Sequence, residues 1–265
     1  MEAVDSIQDE RFGGALRLHG PEGFARLQSA HVAIVGIGGV GSWTAEALAR
    51  AGVGHITLID GDDICVSNVN RQVHALNSTV GQMKVDVMAE RLLAINPKLS
   101  VRAEPLFLTE TTSERLDLPS FDGVVDAIDR IKWKCWLLDW CRTHSMPVVT
   151  TGGAGGRMDP SQVQVADLAR SYHDPLLAKV RKELRQKHGF PRNTKKLLGI
   201  SAVFSPEPIR WPKNEITGDC KVPEAGEHLR LDCATGYGTA GFVTGTFGFL
   251  SAGRMIQLLT EEPVS

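Results

Sequence analysis

Short runs of β-branched and apolar residues alternate with segments of helical periodicity over the first 150 residues. Residues 32–35 predict a strand that stops at Gly36, and the Ala- and Leu-rich residues 40–51 predict an amphipathic helix. Residues 53–59 predict a second strand, which completes a βαβ unit within about 30 residues. Such a unit continues naturally as a doubly wound, mostly parallel sheet, so the pattern predicts a Rossmann-like α/β fold.

The same pattern continues along the chain and weakens after Arg157. It predicts helices over residues 81–96, 130–144 and 174–188, strands over 101–103, 121–128 and 147–151, and a closing helix from about Thr239. No element is assigned to residues 189–229. Because strands and helices alternate up to Arg157, we expect one domain over residues 1–265, with a nucleotide-binding core at about 28–156 and a C-terminal extension at 157–265.

The composition is that of an ordinary globular protein and argues against several classes. With 29 Lys and Arg against 31 Asp and Glu, the formal net charge is −2, so the chain as a whole is not polybasic. The five cysteines form no CxxC pair, which argues against a zinc knuckle, and their odd number argues against a disulfide framework. The acidic first residues do not resemble a signal peptide, and we expect a cytoplasmic location.

One apolar stretch, residues 239–259, approaches the roughly 20 residues that a membrane span needs. Arg254 and Gln257 interrupt it, and it is rich in glycine, serine and threonine. We therefore expect a buried helix that packs closely on the sheet, and membrane association is the less favoured alternative.

The glycine loop after the first strand is the first candidate for chemistry. Residues 36–41 read GIGGVG and fit the G-x-G-x-x-G pattern between a strand and a helix. The glycines expected to let backbone N–H groups reach a phosphate are Gly36, Gly38, Gly39 and Gly41. Asp60 ends the second strand 19 residues after the loop, where a carboxylate can accept hydrogen bonds from ribose hydroxyls. The loop and Asp60 together predict a nucleotide site.

A polar cluster after Asp60 favours phosphate chemistry over hydride transfer. The further candidate ligands for a nucleotide are Asp62, Asn70, Arg71, Gln72 and Lys84. Arg71 and Lys84 would place two cations near the phosphates, which a dehydrogenase does not need. Taken alone, the glycine loop is also compatible with an NAD site, which is the alternative.

Several motifs follow one another in a fixed order between Arg11 and about Gly156. They are the glycine loop, Asp60, SNVNRQ at residues 67–72, Lys84, INP at 95–97 and DAID at 126–129. In this order they resemble the E1-like adenylating superfamily, which includes ubiquitin-activating enzymes and bacterial activators of sulfur-carrier proteins. The resemblance implies an E1-type adenylation domain that activates a carboxylate with ATP and Mg²⁺ and forms a homodimer.

The resemblance also implies roles for individual positions. Asp60 would bind the adenosine ribose, and Asn70, Arg71 and Lys84 would hold the triphosphate. Asp129 would help to place Mg²⁺, which makes Arg71, Lys84 and Asp129 the expected catalytic groups.

An N-terminal arginine is the fourth expected catalytic group. In relatives it reaches the ATP phosphates across a dimer interface, but Gly14 stands at its place here. Arg17 or Arg11 would serve instead, and a solvated surface role is the alternative.

Departures from the sulfur-carrier activators narrow the resemblance. Those proteins carry paired CxxC motifs and an RYxRQ opening, which are both missing here. Four segments instead resemble the tRNA threonylcarbamoyladenosine dehydratases: RFGGALRLHG at 11–20, TTGGAGGRMDP at 150–160, VADLARSYHDPL at 165–176 and DCATGYG at 232–238. This resemblance implies a tRNA substrate whose threonine carboxylate is adenylated and then cyclised with loss of AMP. A tethered nucleophile makes a catalytic cysteine unnecessary.

Two other functions remain open at this point. One is activation of a ubiquitin-like or sulfur-carrier protein, and the other is a non-catalytic nucleotide-binding partner of a cysteine desulfurase system. A basic run is a candidate tRNA contact, with a solvated helix face as the alternative. Its members are Lys179, Arg181, Lys182, Arg185, Lys187, Arg192, Lys195 and Lys196.

Three further features carry weaker predictions. The resemblance implies that the glycine loops at 152–156 and 236–238 could hold Na⁺ or K⁺ through backbone carbonyls. Cys233, within DCATGYG, is expected to be a small half-buried hydrophobe rather than a nucleophile. Trp133, Trp136 and Trp140 share one helix face, which favours core packing or a dimer interface over base stacking.

Overall fold

The computed structural model describes residues 2–211 and 238–261, with side chains from residue 10 onwards. In this part of the chain, seven strands form one sheet in the order β3-β2-β1-β4-β5-β7-β6. The strands are β1 (His31–Val35), β2 (His55–Ile59), β3 (Ser100–Glu104), β4 (Gly123–Asp126), β5 (Val148–Thr151), β6 (Gln164–Asp167) and β7 (Ser201–Phe204). All neighbouring strands are parallel except β6, which is antiparallel to β7. The predicted doubly wound, mostly parallel α/β sheet is confirmed.

Helices cover both faces of this sheet. They are α1 (Glu2–Ser29), α2 (Gly41–Ala51), α3 (Lys84–Ile95), α4 (Glu110–Ser113), α5 (Ile131–Thr143), α6 (Pro175–Lys187) and α7 (Gly241–Thr260). The apolar sides of α2, α3 and α7 form one core with Leu27 of α1, and those of α5 and α6 form a second core on the opposite face. The central strands are buried on both faces, which explains why they read as continuous apolar runs.

Strand register brings the candidate residues to one edge of the sheet. Val35 lies opposite Ile59 of β2 and Asp126 of β4, so the segments that follow these strands leave the sheet side by side. We call the segments that follow β2, β1, β4 and β5 the carboxyl edge. In doubly wound folds this edge is where ligands bind.

The sequence pattern missed four elements: α1, the one-turn helix α4, β6 and β7. Helix α1 contains Gly20 at φ +69 followed by Pro21, and this break together with further glycines obscures its periodicity. Burial of Phe12, Phe24 and Leu27 holds it in place instead. Strands β6 and β7 have four residues each, and β7 pairs with β5 across about 50 intervening residues, so neither has a local signal.

The apolar stretch at 239–259 is the helix α7, and the expectation of close packing on the sheet is confirmed. A Cβ on Gly248 would lie 2.5 Å from Trp43 Cβ, so glycine allows α7 to approach α2 at this point. Among the described residues, no helix combines the length and the apolar character needed to span a bilayer.

Candidate functional site

The glycine loop joins β1 to α2 in a turn that only glycine permits. Gly36 has φ +91, and a Cβ on it would lie 2.8 Å from the carbonyl oxygen of Ala127. A Cβ on Gly41 would lie 1.8 Å from the carbonyl oxygen of Gly36, whereas one on Gly38 would contact nothing within 4 Å. No side chain caps the N-terminus of α2; the N–H of Ser42 donates to the carbonyl of Gly38 at 3.1 Å, and the positive end of the helix dipole lies at the glycine loop.

Asp60 is fixed directly beneath the glycine loop. Its Oδ2 accepts a hydrogen bond from the backbone N–H of Ile37 at 2.6 Å, and its Oδ1 accepts one from the N–H of Asp62 at 2.9 Å. Burial raises the pKa of Asp60, while the nearby Lys84 and the two backbone donors lower it. Each carboxylate oxygen keeps acceptor capacity, which suits the expected contact with ribose hydroxyls.

A short antiparallel backbone pairing positions Lys84 beside Asp62, close to Asp60. Residues 62–64 pair with residues 82–84, through a bridge between Asp63 and Met83 and a hydrogen bond from Lys84 N to Asp62 O at 3.1 Å. The side chain of Lys84 is buried and its Nζ lies 2.8 Å from Oδ2 of Asp62, whose side chain is half exposed. Lys84 also begins α3, so its charge adds to the positive end of that helix dipole.

The turn that carries NRQ is anchored to α2 and α7. The carbonyl of Arg71 accepts from Trp43 Nε1 at 3.0 Å and from Thr244 Oγ1 at 3.3 Å. Nδ2 of Asn70 donates to the carbonyl of Thr239 at 3.0 Å. The guanidinium of Arg71 donates to Asn70 Oδ1 at 3.0 Å, and its stem lies against Gly39. The structure thus brings Arg71 to the glycine loop, as predicted.

Two polar side chains of the same turn face inward. Gln72 is buried, and its Oε1 accepts no hydrogen bond. His74 is 1% exposed, and neither ring nitrogen has a hydrogen-bond partner. Burial lowers the pKa of His74 to about 4, with smaller contributions from Lys84 and Arg91. His74 is therefore neutral, and its lack of a partner could not be read from the sequence.

The two aspartates after β4 have different surroundings. Asp126 is fully buried, accepts from Thr150 Oγ1 at 2.6 Å and pairs with the equally buried Lys134 at 2.9 Å. Asp129 is exposed on the loop before α5. Sequence analysis missed Lys134, although its place among the buried positions of the α5 pattern, beside Cys135 and Leu138, is the signal that could have found it.

A buried arginine fixes the loop that follows β5. Nε of Arg157 donates to the carbonyl of Gly153 at 2.8 Å, its Nη1 donates to the carbonyls of Ser205 and Glu207, and its Nη2 lies 3.5 Å from Oδ2 of Asp174. Burial lowers the pKa of Arg157, and the two acids oppose this shift. We call Arg157, Asp174 and Glu207 the arginine clamp; sequence analysis assigned none of them a role.

The clamp joins the carboxyl edge to α6. Oδ2 of Asp174 accepts from Gly153 N at 2.9 Å, and its Oδ1 caps α6 through Leu177 N at 2.9 Å. Glu207 accepts from the N–H groups of Met158 and Asp159 at 2.9 and 2.8 Å. In the glycine loop at 152–156, the sequence-based candidate for Na⁺ or K⁺, the carbonyls of Gly153 and Gly156 each accept one hydrogen bond, from Arg157 Nε and from the N–H of Arg210.

Arg17 lies away from the cluster just described. It is exposed on α1, between Phe12 and Phe24, which both pack at Gly52. Gly52 follows the C-terminus of α2, about 16 Å along the helix from the glycine loop. Arg11 is also held at that end, where it donates to the carbonyl of Ile95 at 2.8 Å. Within one chain, neither arginine joins the other candidates.

The remaining predictions concern surface and thiol groups. Lys179, Lys182 and Lys187 are exposed, while Arg181 and Arg185 are half-buried along α6. Burial raises the pKa of the Cys135 thiol to about 12 and also raises that of Cys141, so neither is an activated nucleophile. Cys233 and most of DCATGYG lie outside the described residues. Those residues also contain no cluster of three or more His, Cys, Asp or Glu suited to a metal ion.

The arrangement combines a glycine loop at a helix N-terminus, a buried carboxylate beneath it, two cations and an exposed aspartate. Comparison with known proteins gives a consistent result. The model of the ThiF family matches residues 14–265. A tRNA threonylcarbamoyladenosine dehydratase of Haemophilus influenzae is 44% identical over 263 residues, which cover 99% of this chain and 97% of that protein.

Two further comparisons involve Escherichia coli. Its tRNA threonylcarbamoyladenosine dehydratase is 46% identical over 253 residues, which cover 96% of this chain and 94% of that protein. A crystal structure of the E. coli enzyme in complex with ATP superposes with a TM-score of 0.83 at 43% identity and covers 95% of this chain and 94% of that one. Because the family model spans nearly the whole chain and the relatives match along their full length, the chain belongs to the ThiF family.

Proposed function

We propose that the chain is an ATP-dependent tRNA threonylcarbamoyladenosine dehydratase. The observation that carries the proposal is the grouping of Asp60, Arg71 and Lys84 around an uncapped helix N-terminus, in a chain similar end to end to enzymes of that name. This grouping is the arrangement that a nucleoside triphosphate requires. Asp60 accepts from the ribose, and the N–H groups of the glycine loop, with Arg71 and Lys84, hold the phosphates.

The proposed chemistry proceeds in two steps. The threonine carboxylate of the modified adenosine attacks the α-phosphate, a P–O bond to the acyl oxygen forms, and the α–β bridge breaks to release pyrophosphate. An atom of the neighbouring carbamoyl group then bonds to the activated carbonyl carbon, an N–H proton of that group passes to solvent, and the acyl C–O bond to AMP breaks. Arg71 and Lys84 stabilise the charge that develops on the phosphates in the first step.

Asp129 fits the expected Mg²⁺. Mg²⁺ is commonly held by one or two carboxylates together with substrate phosphates, and Asp129 is the exposed acid of the DAID segment, whereas Asp126 is committed to Lys134. When bound, Mg²⁺ neutralises charge on the triphosphate. A Na⁺ or K⁺ ion rests on the family resemblance alone, because two carbonyls of the loop at 152–156 have protein partners.

The partners follow from the same proposal. The chain acts on tRNA carrying threonylcarbamoyladenosine in the cytoplasm, with the basic run along α6 as its contact surface. A homodimer is proposed from the family resemblance, and Arg17, which lies away from the nucleotide cluster of its own chain, would then act at the ATP site of the other copy. A cysteine desulfurase or sulfur-acceptor partner is an additional expectation of the family resemblance.

The direct test is nucleoside mass spectrometry of the modified tRNA after incubation with the protein, Mg²⁺ and ATP. The proposal expects an ATP-dependent loss of one water from the nucleoside and release of AMP. Lys84→Ala abolishes the loss, whereas Lys98→Ala, an exposed lysine after the opposite end of α3, retains it. Bound ATP without any loss of mass would overturn the proposal in favour of carrier-protein activation.

Isotope labelling tests the adenylate itself. With ¹⁸O in the threonine carboxylate, one ¹⁸O atom leaves in AMP if the acyl adenylate forms. An acyl phosphate would instead release ADP and place ¹⁸O in inorganic phosphate, which would contradict the adenylation step.

A further inference from the structure

A groove of about 550 Å³ opens beside the N-terminus of α6. Its apolar wall includes Pro175, Ala178 and Ile209, and its polar wall includes Arg181 and Trp211. It is separate from the glycine loop, and the proposed ATP chemistry uses none of these residues. Its position and its charge both indicate what it binds.

The position follows from the order of the strands. Asp60 follows β2, the glycine loop follows β1 and Asp129 follows β4, so a bound ATP runs from its ribose over β2 towards β4. The next strand along this edge is β5, about 10 Å from β1. The loop after β5 is tied to Asp174, which lines the groove. The groove therefore lies further along the same edge of the sheet, beyond the segments that would hold the phosphates.

The charge increases along the helix that forms the groove. Pro175, Ala178 and Arg181 line it at helical spacing, and Lys182 and Arg185 follow Ala178 and Arg181 by four residues on the same side of α6. Between residues 175 and 206 the chain carries eight Lys and Arg against one acid, Glu183, although its net charge is −2. An apolar pocket that continues into a row of cations suits a nucleobase followed by its phosphates.

The rim of the groove is fixed before any ligand arrives. His173 has φ +54, a conformation that costs a non-glycine residue about 1 kcal/mol or more. Its carbonyl accepts from Nη2 of Arg157 at 3.4 Å, and its Nδ1 contacts the carbonyl of Pro206 at 3.1 Å. The exposed ring of Tyr172 lies 5.3 Å from the His173 ring. Aromatic side chains and an Arg guanidinium are the groups on which unstacked bases pack in single-stranded RNA recognition.

We infer that this groove binds a nucleobase of the anticodon loop next to the modified adenosine, with its phosphates along Lys182 and Arg185. The inference rests on the proposed function and deepens it, because it names the surface that presents the tRNA to the ATP site. A loop base is the occupant because sequence-tolerant stacking in a pocket needs an unpaired base.

The test measures binding of a fluorescent anticodon stem-loop that lacks the threonylcarbamoyl group, so that no chemistry is required. Trp211→Ala weakens binding about tenfold through loss of a stacking surface, and Trp211→Phe retains most of the affinity. The Kd of ATP, measured in parallel, stays unchanged and shows that Trp211→Ala is folded. Unchanged RNA affinity in Trp211→Ala would overturn the inference.

A second pair of variants tests the row of cations without disturbing the core. Lys182→Glu weakens binding of the stem-loop. It also lowers the salt dependence of the affinity by the amount that corresponds to about one fewer counterion released on binding. Lys187→Glu makes the same charge change on the other flank of α6, where Lys187 lies 2.7 Å from Glu183, and has the smaller effect. Equal losses in both variants would indicate attraction to the basic face without a groove, and would overturn the inference.

The two proposals fail in distinguishable ways. If the wild-type protein binds the stem-loop through Trp211 but dehydrates no tRNA, the proposed activity fails and the groove stands. If the wild-type protein dehydrates tRNA and Trp211→Ala does so with the same KM, the activity stands and the groove fails.

Discussion

The nucleotide side and the groove side of the carboxyl edge are built in different ways. On the nucleotide side, residues 36–84 supply the glycine loop, Asp60, Arg71 and Lys84 from one continuous stretch of chain. On the groove side, Arg157 gathers carbonyls and carboxylates from residues 153, 174, 205 and 207. The first region is a linear motif that can be read directly, and the second is an assembly that exists only after folding.

On the proposed function, this difference separates nucleotide binding from recognition of the tRNA. Binding of a nucleotide requires one loop and one helix N-terminus, which a short motif can encode. Recognition of a second, larger substrate requires a more extended surface, and on the groove side that surface is held together by the buried charges of the arginine clamp. The predictions below test this division, beginning with the largest effect.

The arginine clamp is expected to stabilise the groove side strongly. Arg157→Leu leaves Asp174 and Glu207 buried without their cation and lowers the free energy of unfolding by about 3–5 kcal/mol, measured in urea. Arg210 also pairs with Glu207, at 3.4 Å, but is mostly exposed, so Arg210→Leu costs about 1 kcal/mol or less. If Arg157→Leu and Arg210→Leu lowered the free energy of unfolding equally, the arginine clamp would be no different from an ordinary surface ion pair.

His74 is expected to make the nucleotide side sensitive to acid. The pKa of His74 is about 4 in the folded protein, below the usual 6.5, so the imidazole of the unfolded chain takes up its proton first as the pH falls. Burial of the neutral ring therefore contributes fully to stability above pH 6.5. Between pH 6.5 and about 4 the free energy of unfolding falls by roughly 3 kcal/mol. His74→Gln removes this part of the pH dependence in urea unfolding. An identical pH profile in wild type and variant would contradict the burial of a neutral imidazole.

Two glycines of one loop are expected to respond differently. Gly41→Ala places a Cβ against the carbonyl of Gly36, and we expect a loss of about 1–3 kcal/mol in the free energy of unfolding. Gly38→Ala meets no neighbour, so stability is retained while the Kd of ATP rises, because the methyl group enters the space over the loop. Thermal unfolding with and without ATP distinguishes the two, and a Gly38→Ala variant with normal ATP affinity would place the phosphates elsewhere.

The smallest expected effect concerns Arg17, which within one chain lies on neither the nucleotide side nor the groove side of the carboxyl edge. Arg17→Ala lowers turnover about tenfold with little change in the Kd of ATP, because the arginine acts on phosphates held by another copy. Mixing Arg17→Ala with Lys84→Ala gives more activity than the average of the two variants measured separately, since mixed dimers contain one complete site. An unchanged rate in Arg17→Ala would remove it from the mechanism.

The sequence was sufficient for the central strands and the nucleotide motif because both signals are local. Residues 32–35 and 53–59 are apolar runs next to a glycine loop and an acid, and they were placed within two residues of β1 and β2. Sequence motifs favoured Asp129 over Asp126 as the Mg²⁺ ligand but gave no physical difference between the two acids. Burial and the pairing with Lys134 separate them, and both arise from tertiary packing.

The groove side was largely invisible in the sequence for a physical reason. Strands β6 and β7 are short, and β7 pairs with β5 and β6, from which it is separated by long stretches of chain that include α6. Arg157 appeared within TTGGAGGRMDP without any sign that its guanidinium is buried, because its acceptors are backbone carbonyls of distant residues. Such contacts leave no periodic trace along the chain.

The anchoring of the NRQ turn by α7 has a consequence for biosynthesis. Thr239 and Thr244 hold Asn70 and Arg71 in place, and they lie near the end of a chain that is made from its N-terminus. A chain that ended before α7 would lack both these anchors and the part of the core that Val243 and Phe247 supply. Synthesis of the last helix is therefore required before the phosphate-binding turn is held in place.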